Sequence, residues 1–141
     1  MWFQKPIPRV LFHGTLTTNL KSIRKHGIRA GSSERANFAD FSDDVRGMVS
    51  LSDTKLAARR FAVYSLVGKP KGTKSDFVAV IVDTMVLKHR GVPVVPLRGK
   101  LSADYGGHEY RAVGSIPAAA IVGAFRYHDV KGKFTEEYMK L

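Results

Sequence analysis

The sequence predicts an α+β fold with more strand than helix, and three observations carry that expectation. The run "FVAVIVDTMVL", Phe77 to Leu87, is dense in valine and isoleucine, the composition of a central strand. Two shorter apolar runs, "PRVLF" and "MVSLS", each lead through small polar residues into a stretch with helical spacing. The second half of the chain breaks repeatedly at Gly and Pro, leaving room for short strands only. With 141 residues, 44% of them hydrophobic, residues 1–141 are expected to form a single domain around one core.

Taken in order, "PRVLF" reads as a short buried strand, and His13-Gly14-Thr15 stands where that strand stops, as either a turn or a site. Thr17 or Thr18 is suited to cap a helix that turns Leu20 and Ile23 inward and ends at Gly27. Arg29 to Gly47 is rich in Gly, Ser, Asp and Arg without steady periodicity, a long connection with the character of a lid. "MVSLS" alternates like a strand. Ser52 or Asp53 is expected to cap the next helix, "TKLAARRFAVYSL", with Leu56, Ala57, Phe61 and Tyr64 on one face.

"VGKPKGTKSD" is a basic turn before the central strand. "GVPVVPLRGKLSADYGGH" suggests an edge strand and a loop, after which "EYRAV" and "IVGAFRY" supply late strands about a turn at "GSIPAAA". The tail "FTEEYMKL" reads as a short helix or an irregular end.

Charge and composition narrow the chemistry. Lys and Arg number 23 against 12 Asp and Glu, a formal net charge of +11, which suits a polyanionic partner. A solubilising surface or an acidic protein partner would also account for it. There is no cysteine, so disulfides, thiolate metal sites and cysteine nucleophiles are excluded. Five histidines without HxH or HExxH spacing argue against a metal. No apolar run has membrane-spanning length and the N-terminus lacks the order of a secretory signal, so a soluble cytoplasmic protein is expected, with no membrane partner. GxSxG, GxGxxG and GxxxxGK[ST] are all missing, which removes the usual serine-hydrolase, dinucleotide-fold and phosphate-loop readings. Glu109 remains as a carboxylate behind two glycines, at the start of an apolar strand. It is either aimed into a cleft or solvated.

Three blocks, "LFHGT" followed by a helix and "GI", then "GMVSLSDTKLAARRFAVY", then "GGHEYRAVGSIPAAAIVGAF", together resemble the ADP-ribosyltransferase superfamily. The resemblance is to the branch of the poly(ADP-ribose) polymerases and of DarT-like and other small bacterial or phage toxins, and it covers most of the chain. It implies split antiparallel β-sheets around an NAD cleft, with NAD as co-substrate and no metal. Carried over by position, it places His13 on an adenosine ribose hydroxyl, the Gly14 backbone on the nicotinamide carboxamide, Thr15 as an assisting hydroxyl, and Glu109 as the catalytic residue. Ser50 stands where polymerase-like members have a tyrosine, so an aromatic for nicotinamide has to come from elsewhere, Phe61 or Tyr64 among the choices. Gly107 lacks the Gln or Glu of arginine-modifying relatives.

Arg35 and Arg46 are candidates for the pyrophosphate, since guanidinium matches phosphate in a bidentate way. Lys100, Tyr105, His108 and Arg111 are candidates for holding the acceptor, with Tyr105 able to stack on an unpaired base. Lys69, Lys71, Lys74 and Arg98 extend the basic surface. The chemistry implied needs one carboxylate only, because nicotinamide leaves a developing cation as a neutral group and requires no general acid. The expected function is a mono-ADP-ribosyltransferase toxin or effector acting on nucleic acid, RNA before DNA. An antitoxin or immunity protein is the expected protein partner. The alternatives are an NAD glycohydrolase, a transferase acting on protein, a nucleic-acid-binding module without catalysis and, more distantly, an RNA 2′-phosphotransferase.

Overall fold

The computed structural model describes residues 6–30, 47–64, 76–97, 106–130 and 133–141. Among these residues seven strands form one antiparallel sheet in the order β4-β5-β2-β1-β3-β6-β7, accompanied by a few short helices. The strands are β1 (Val10–Leu16), β2 (Met48–Ser52), β3 (Asp76–Asp83), β4 (Val94–Pro96), β5 (Glu109–Val113), β6 (Ile121–Val130) and β7 (Lys133–Lys140). The α-helices are α1 (Leu20–His26), α2 (Lys55–Tyr64) and α3 (Thr84–His89).

β3 is central, as its composition predicts, and Phe77 to Val82 are buried along its whole length. It ends earlier than expected. Asp83 accepts a bond from the Met85 N–H and starts α3, so "TMVL" is helix rather than strand. The tail differs as well: Lys133–Lys140 pairs along β6 from Val130↔Lys133 to Gly123↔Lys140 instead of forming a helix. Charged residues on that segment follow from its place at the sheet edge.

The main core lies between one sheet face and α1 and α3, with Leu11, Leu51, Val78, Val80, Val82, Leu87 and Ile116 at its centre. On the other face α2 presses on β1. Its buried side is Ala57, Ala58 and Ala62, with Phe61 half-buried, and of the expected face of Leu56, Ala57, Phe61 and Tyr64 it is Leu56 that departs, being 38% exposed. The small residues have a cause: a Cβ on Gly14 would overlap the Ala58 carbonyl oxygen and stand 2.7 Å from its carbon. Helix and strand meet backbone to backbone.

Thr54 caps α2, its Oγ1 accepting from the Ala57 N–H at 3.1 Å, so neither Ser52 nor Asp53 has the expected role. Thr17 and Thr18 form a 3-10 turn before α1, and the Thr17 hydroxyl is spent on Asp76. β1 also runs further than "PRVLF" suggests. His13-Gly14-Thr15 is inside the strand, paired with Val80, Ala79 and Val78 of β3.

Candidate active site

The geometry of the site begins with an interruption in the sheet. β1 pairs with β3 at seven successive positions but with β2 at one, Phe12↔Ser52. Continuing that register would set Gly14 opposite Ser50. Instead His13 Nδ1 bonds the Ser50 carbonyl oxygen at 2.8 Å. Since a carbonyl only accepts, Nδ1 carries the proton and Nε2 is left as an acceptor. Burial lowers the His13 pKa against the opposing effect of that bond, so the neutral imidazole is the form at physiological pH. The sheet is thus one by hydrogen bonding, and its β4-β5-β2 part meets its β1-β3-β6-β7 part at the single registered pair Phe12↔Ser52.

Ser50 joins the next strand. Its Oγ donates to Glu109 Oε1 at 2.7 Å, while Arg111 Nη2 stands 3.6 Å from Glu109 Oε2. The register makes this arrangement: Ser52 lies opposite Glu109 and Ser50 opposite Arg111 on β2 and β5, so alternation puts all four on one face. The side chains of Glu109 and Arg111 are only 13% and 6% exposed. Glu109 is therefore a buried, paired carboxylate rather than a solvated one, and Arg111, expected at the acceptor surface, lies beneath it.

Thr15 Oγ1 accepts from Asn19 Nδ2 at 2.8 Å and supports the turn into α1. Phe61 is half-buried on α2, the helix that covers Gly14. Arg35, Arg46, Lys100 and Tyr105, with Lys69, Lys71, Lys74 and Arg98, lie outside the described residues.

The segment before Glu109 is docked on the start of α2. Asp53 Oδ1 accepts the His108 N–H at 2.7 Å, Asp53 Oδ2 is 3.0 Å from His108 Nδ1, and the Asp53 N–H donates to the His108 carbonyl at 3.1 Å. Thr54 Oγ1 donates to the Gly106 carbonyl at 3.1 Å. A Cβ on Gly107 would stand 2.5 Å from Thr54 Oγ1 and 2.8 Å from Asp53 Oδ1, so a glycine is required for the loop to approach. Sequence reasoning placed Asp53 as a helix cap and missed this contact, because nothing local links residue 53 to residue 108.

An apolar cavity of about 610 Å³ lined by Ile7, Met85, Val92 and Val94 among others shares no residue with the His13, Ser50 and Glu109 row. No group of three or more metal-ligating side chains occurs among the described residues. Among those residues, too, no helix is long and apolar enough to cross a membrane.

With this geometry in place, the solved structures offer a comparison. The fold is similar to that of EcPltA. The TM-score is 0.57 at 12% identity, over 96% of this chain and 87% of EcPltA. A nicked CARDS toxin matches with a TM-score of 0.48 and 15% identity, over 94% of this chain but 30% of the toxin's. The chain spans less than a third of that toxin's length. No protein-family model matches the chain and no curated protein matches it in sequence.

Proposed function

We propose that this chain is an NAD-consuming mono-ADP-ribosyltransferase whose acceptor is a nucleic acid, RNA before DNA, with Glu109 as its catalytic carboxylate. One observation carries the reading: His13, Ser50 and Glu109, brought together in sequence only by resemblance, form a continuous hydrogen-bonded row across the split between β1, β2 and β5. The similarity to EcPltA supports the fold and leaves the chemistry to these residues.

The residues fit NAD. Beyond Phe12 no further β1–β2 pair is registered among the described residues, and Gly14, on β1 beside that gap, is the residue we assign to the nicotinamide carboxamide. His13 Nε2, fixed as an acceptor, suits a ribose hydroxyl. Bound there, NAD supplies a glycosidic bond whose leaving group departs neutral. Glu109, with the Ser50 hydroxyl donating to one oxygen and the Arg111 guanidinium 3.6 Å from the other, is held in place, ready to bond a ribose 2′-hydroxyl and to favour positive charge developing at the anomeric carbon. This preorganisation reduces the need for reorientation during the reaction.

The net charge of +11 supports a polyanionic acceptor, because phosphate attraction steers encounter and raises local concentration. A small toxin restrained by an antitoxin is the role we assign to such an activity. The test is incubation with adenylate-labelled NAD and, separately, RNA, single-stranded DNA, duplex DNA and total protein, alongside Glu109→Gln. Label on RNA that disappears in the variant is the expected result. Free ADP-ribose alone means a glycohydrolase, label on protein moves the acceptor, and intact NAD in every lane with wild type overturns the reading.

A further inference from the structure

Glu109 is held by two side chains from its own part of the sheet. Ser50 Oγ on β2 donates to Oε1, and Arg111 Nη2 on β5 stands 3.6 Å from Oε2. These contacts fix the rotamer of the carboxylate. They do not fix its distance from β1, which carries His13 and Gly14 and meets β2 at the single registered pair Phe12↔Ser52.

The helix α2 spans that gap. The cross-strand pairs Phe12↔Ser52 and Ser52↔Glu109 put all three residues on one face of the sheet, and Phe12 packs there with Ala58 of α2. The Ala58 carbonyl oxygen lies within 1.8 Å of where a Cβ on Gly14 would stand, so the helix and β1 meet through backbone. The residues leading into α2 grip the segment before Glu109. The His108 N–H donates to Asp53 Oδ1 at 2.7 Å, the Asp53 N–H donates to the His108 carbonyl at 3.1 Å, and Thr54 Oγ1 donates to the Gly106 carbonyl at 3.1 Å. Asp53 Oδ2 is also 3.0 Å from His108 Nδ1. Gly107 lies so near that a Cβ would stand 2.5 Å from Thr54 Oγ1, 2.8 Å from Asp53 Oδ1 and 3.1 Å from the Ala57 Cβ.

Resting on the transferase reading, we infer that Asp53 and Thr54 are positioning residues, which set Glu109 against the NAD held on β1 by anchoring the main chain of residues 106–108. Their part is played through Glu109. The helix is the brace between the two halves of the site, seated on β1 at Ala58 and fastened at its entrance to the start of β5. Loosening that fastening lets Glu109 move relative to the anomeric carbon while the residues assigned to NAD on β1 stay where they are. A misplacement of about 1 Å can cost about 100-fold in rate.

The experiment measures kcat and KM for NAD by nicotinamide release, with single-stranded RNA present, for wild type, Asp53→Ala, Asp53→Asn and Gly107→Ala. Asp76→Asn, which loosens the contacts among β3, β6 and the turn before α1, is the control for a loss of stability alone. Asp53→Ala is expected to lower kcat about tenfold, short of the full cost of misplacement because the bond from the main-chain N–H of residue 53 remains. KM for NAD should not change, since His13 and Gly14 are untouched. Asp53→Asn keeps an acceptor for the His108 N–H and should restore most of the rate. Gly107→Ala pushes the same segment off Thr54 from the other side and should repeat the loss, which tests the inference even where Asp53→Ala does not fold. Below its melting temperature Asp76→Asn should keep the kcat of wild type. An active wild type with an equal kcat in Asp53→Ala or Gly107→Ala overturns this inference and spares the transferase reading. So does a loss that Asp53→Asn fails to restore or that Asp76→Asn shares. A wild type inert toward NAD overturns both.

Discussion

His13 on β1 and Ser50 on β2 are joined by a side chain where a ladder would otherwise run, Nδ1 donating to the Ser50 carbonyl at 2.8 Å. That bond fixes the tautomer of His13 and ties β1 to β2, so the histidine has a structural role there.

His13 should make stability depend on pH in a definite direction. Burial depresses its pKa below the ordinary 6.5, so the unfolded chain binds the proton more readily than the folded one. The contribution is complete above the unfolded value and is lost as pH falls through it toward the lower folded value. His13→Asn retains a donor for Ser50 and does not titrate. Thermal melts between about pH 5 and 8 should show wild type losing more melting temperature toward acid than the variant. Parallel curves would contradict the assignment.

Gly14 is set by packing, whatever ligand its main chain meets. The smallest substitution, Gly14→Ala, drives a methyl into the Ala58 carbonyl and forces α2 away from β1. We expect a loss of about 1–3 kcal/mol by denaturant unfolding, the usual cost of overpacking. Ala58→Gly does not relieve it, because the collision is with backbone.

How much of this was legible in the sequence depends on the range of the interaction. β3 declared itself through a run of β-branched residues buried on both faces, and α2 through its spacing, both local signals. The end of β3 was misread because "DTMVL" continues an apolar run, and only the Asp83 cap distinguishes strand from helix. β7 was missed because its charged residues suit a solvated helix and an edge strand equally. At the site, the chain order of His13, Ser50 and Glu109 was readable through family resemblance, whereas the burial of Arg111 and the pairing of Asp53 with His108 depend on strand register. Register is a property of two segments at once.

Asp76 ties three elements together. It accepts from Arg126 on β6 at 3.1 and 2.7 Å and from Thr17 before α1. The bond to Arg126 holds its carboxyl below the ordinary 3.8 in spite of the opposing effect of burial. The stability this provides is present above the unfolded carboxyl value and lost as pH falls through the lowered folded one. Asp76→Asn should lower the melting temperature at neutral pH and narrow the gap to wild type in acid. A constant gap across the titration would assign the loss to packing rather than charge.

Glu109 and Arg111 form the site's buried pair, and the two partners should fail differently. Glu109→Gln keeps the shape and the Ser50 contact but removes the charge. Nicotinamide release should fall by about 100-fold or more, the scale of losing a preorganised electrostatic contact to the transition state. Arg111→Met leaves the carboxylate buried without its cation, a change of the kind that costs about 3–5 kcal/mol of folding stability. Ser50→Ala separates position from charge, removing one bond to Oε1 while Arg111 stays in place. A smaller loss, about tenfold, is expected from that single hydrogen bond to a charged group. If Ser50→Ala and Glu109→Gln were equally damaging, the position of the carboxylate would outweigh its charge in the reaction.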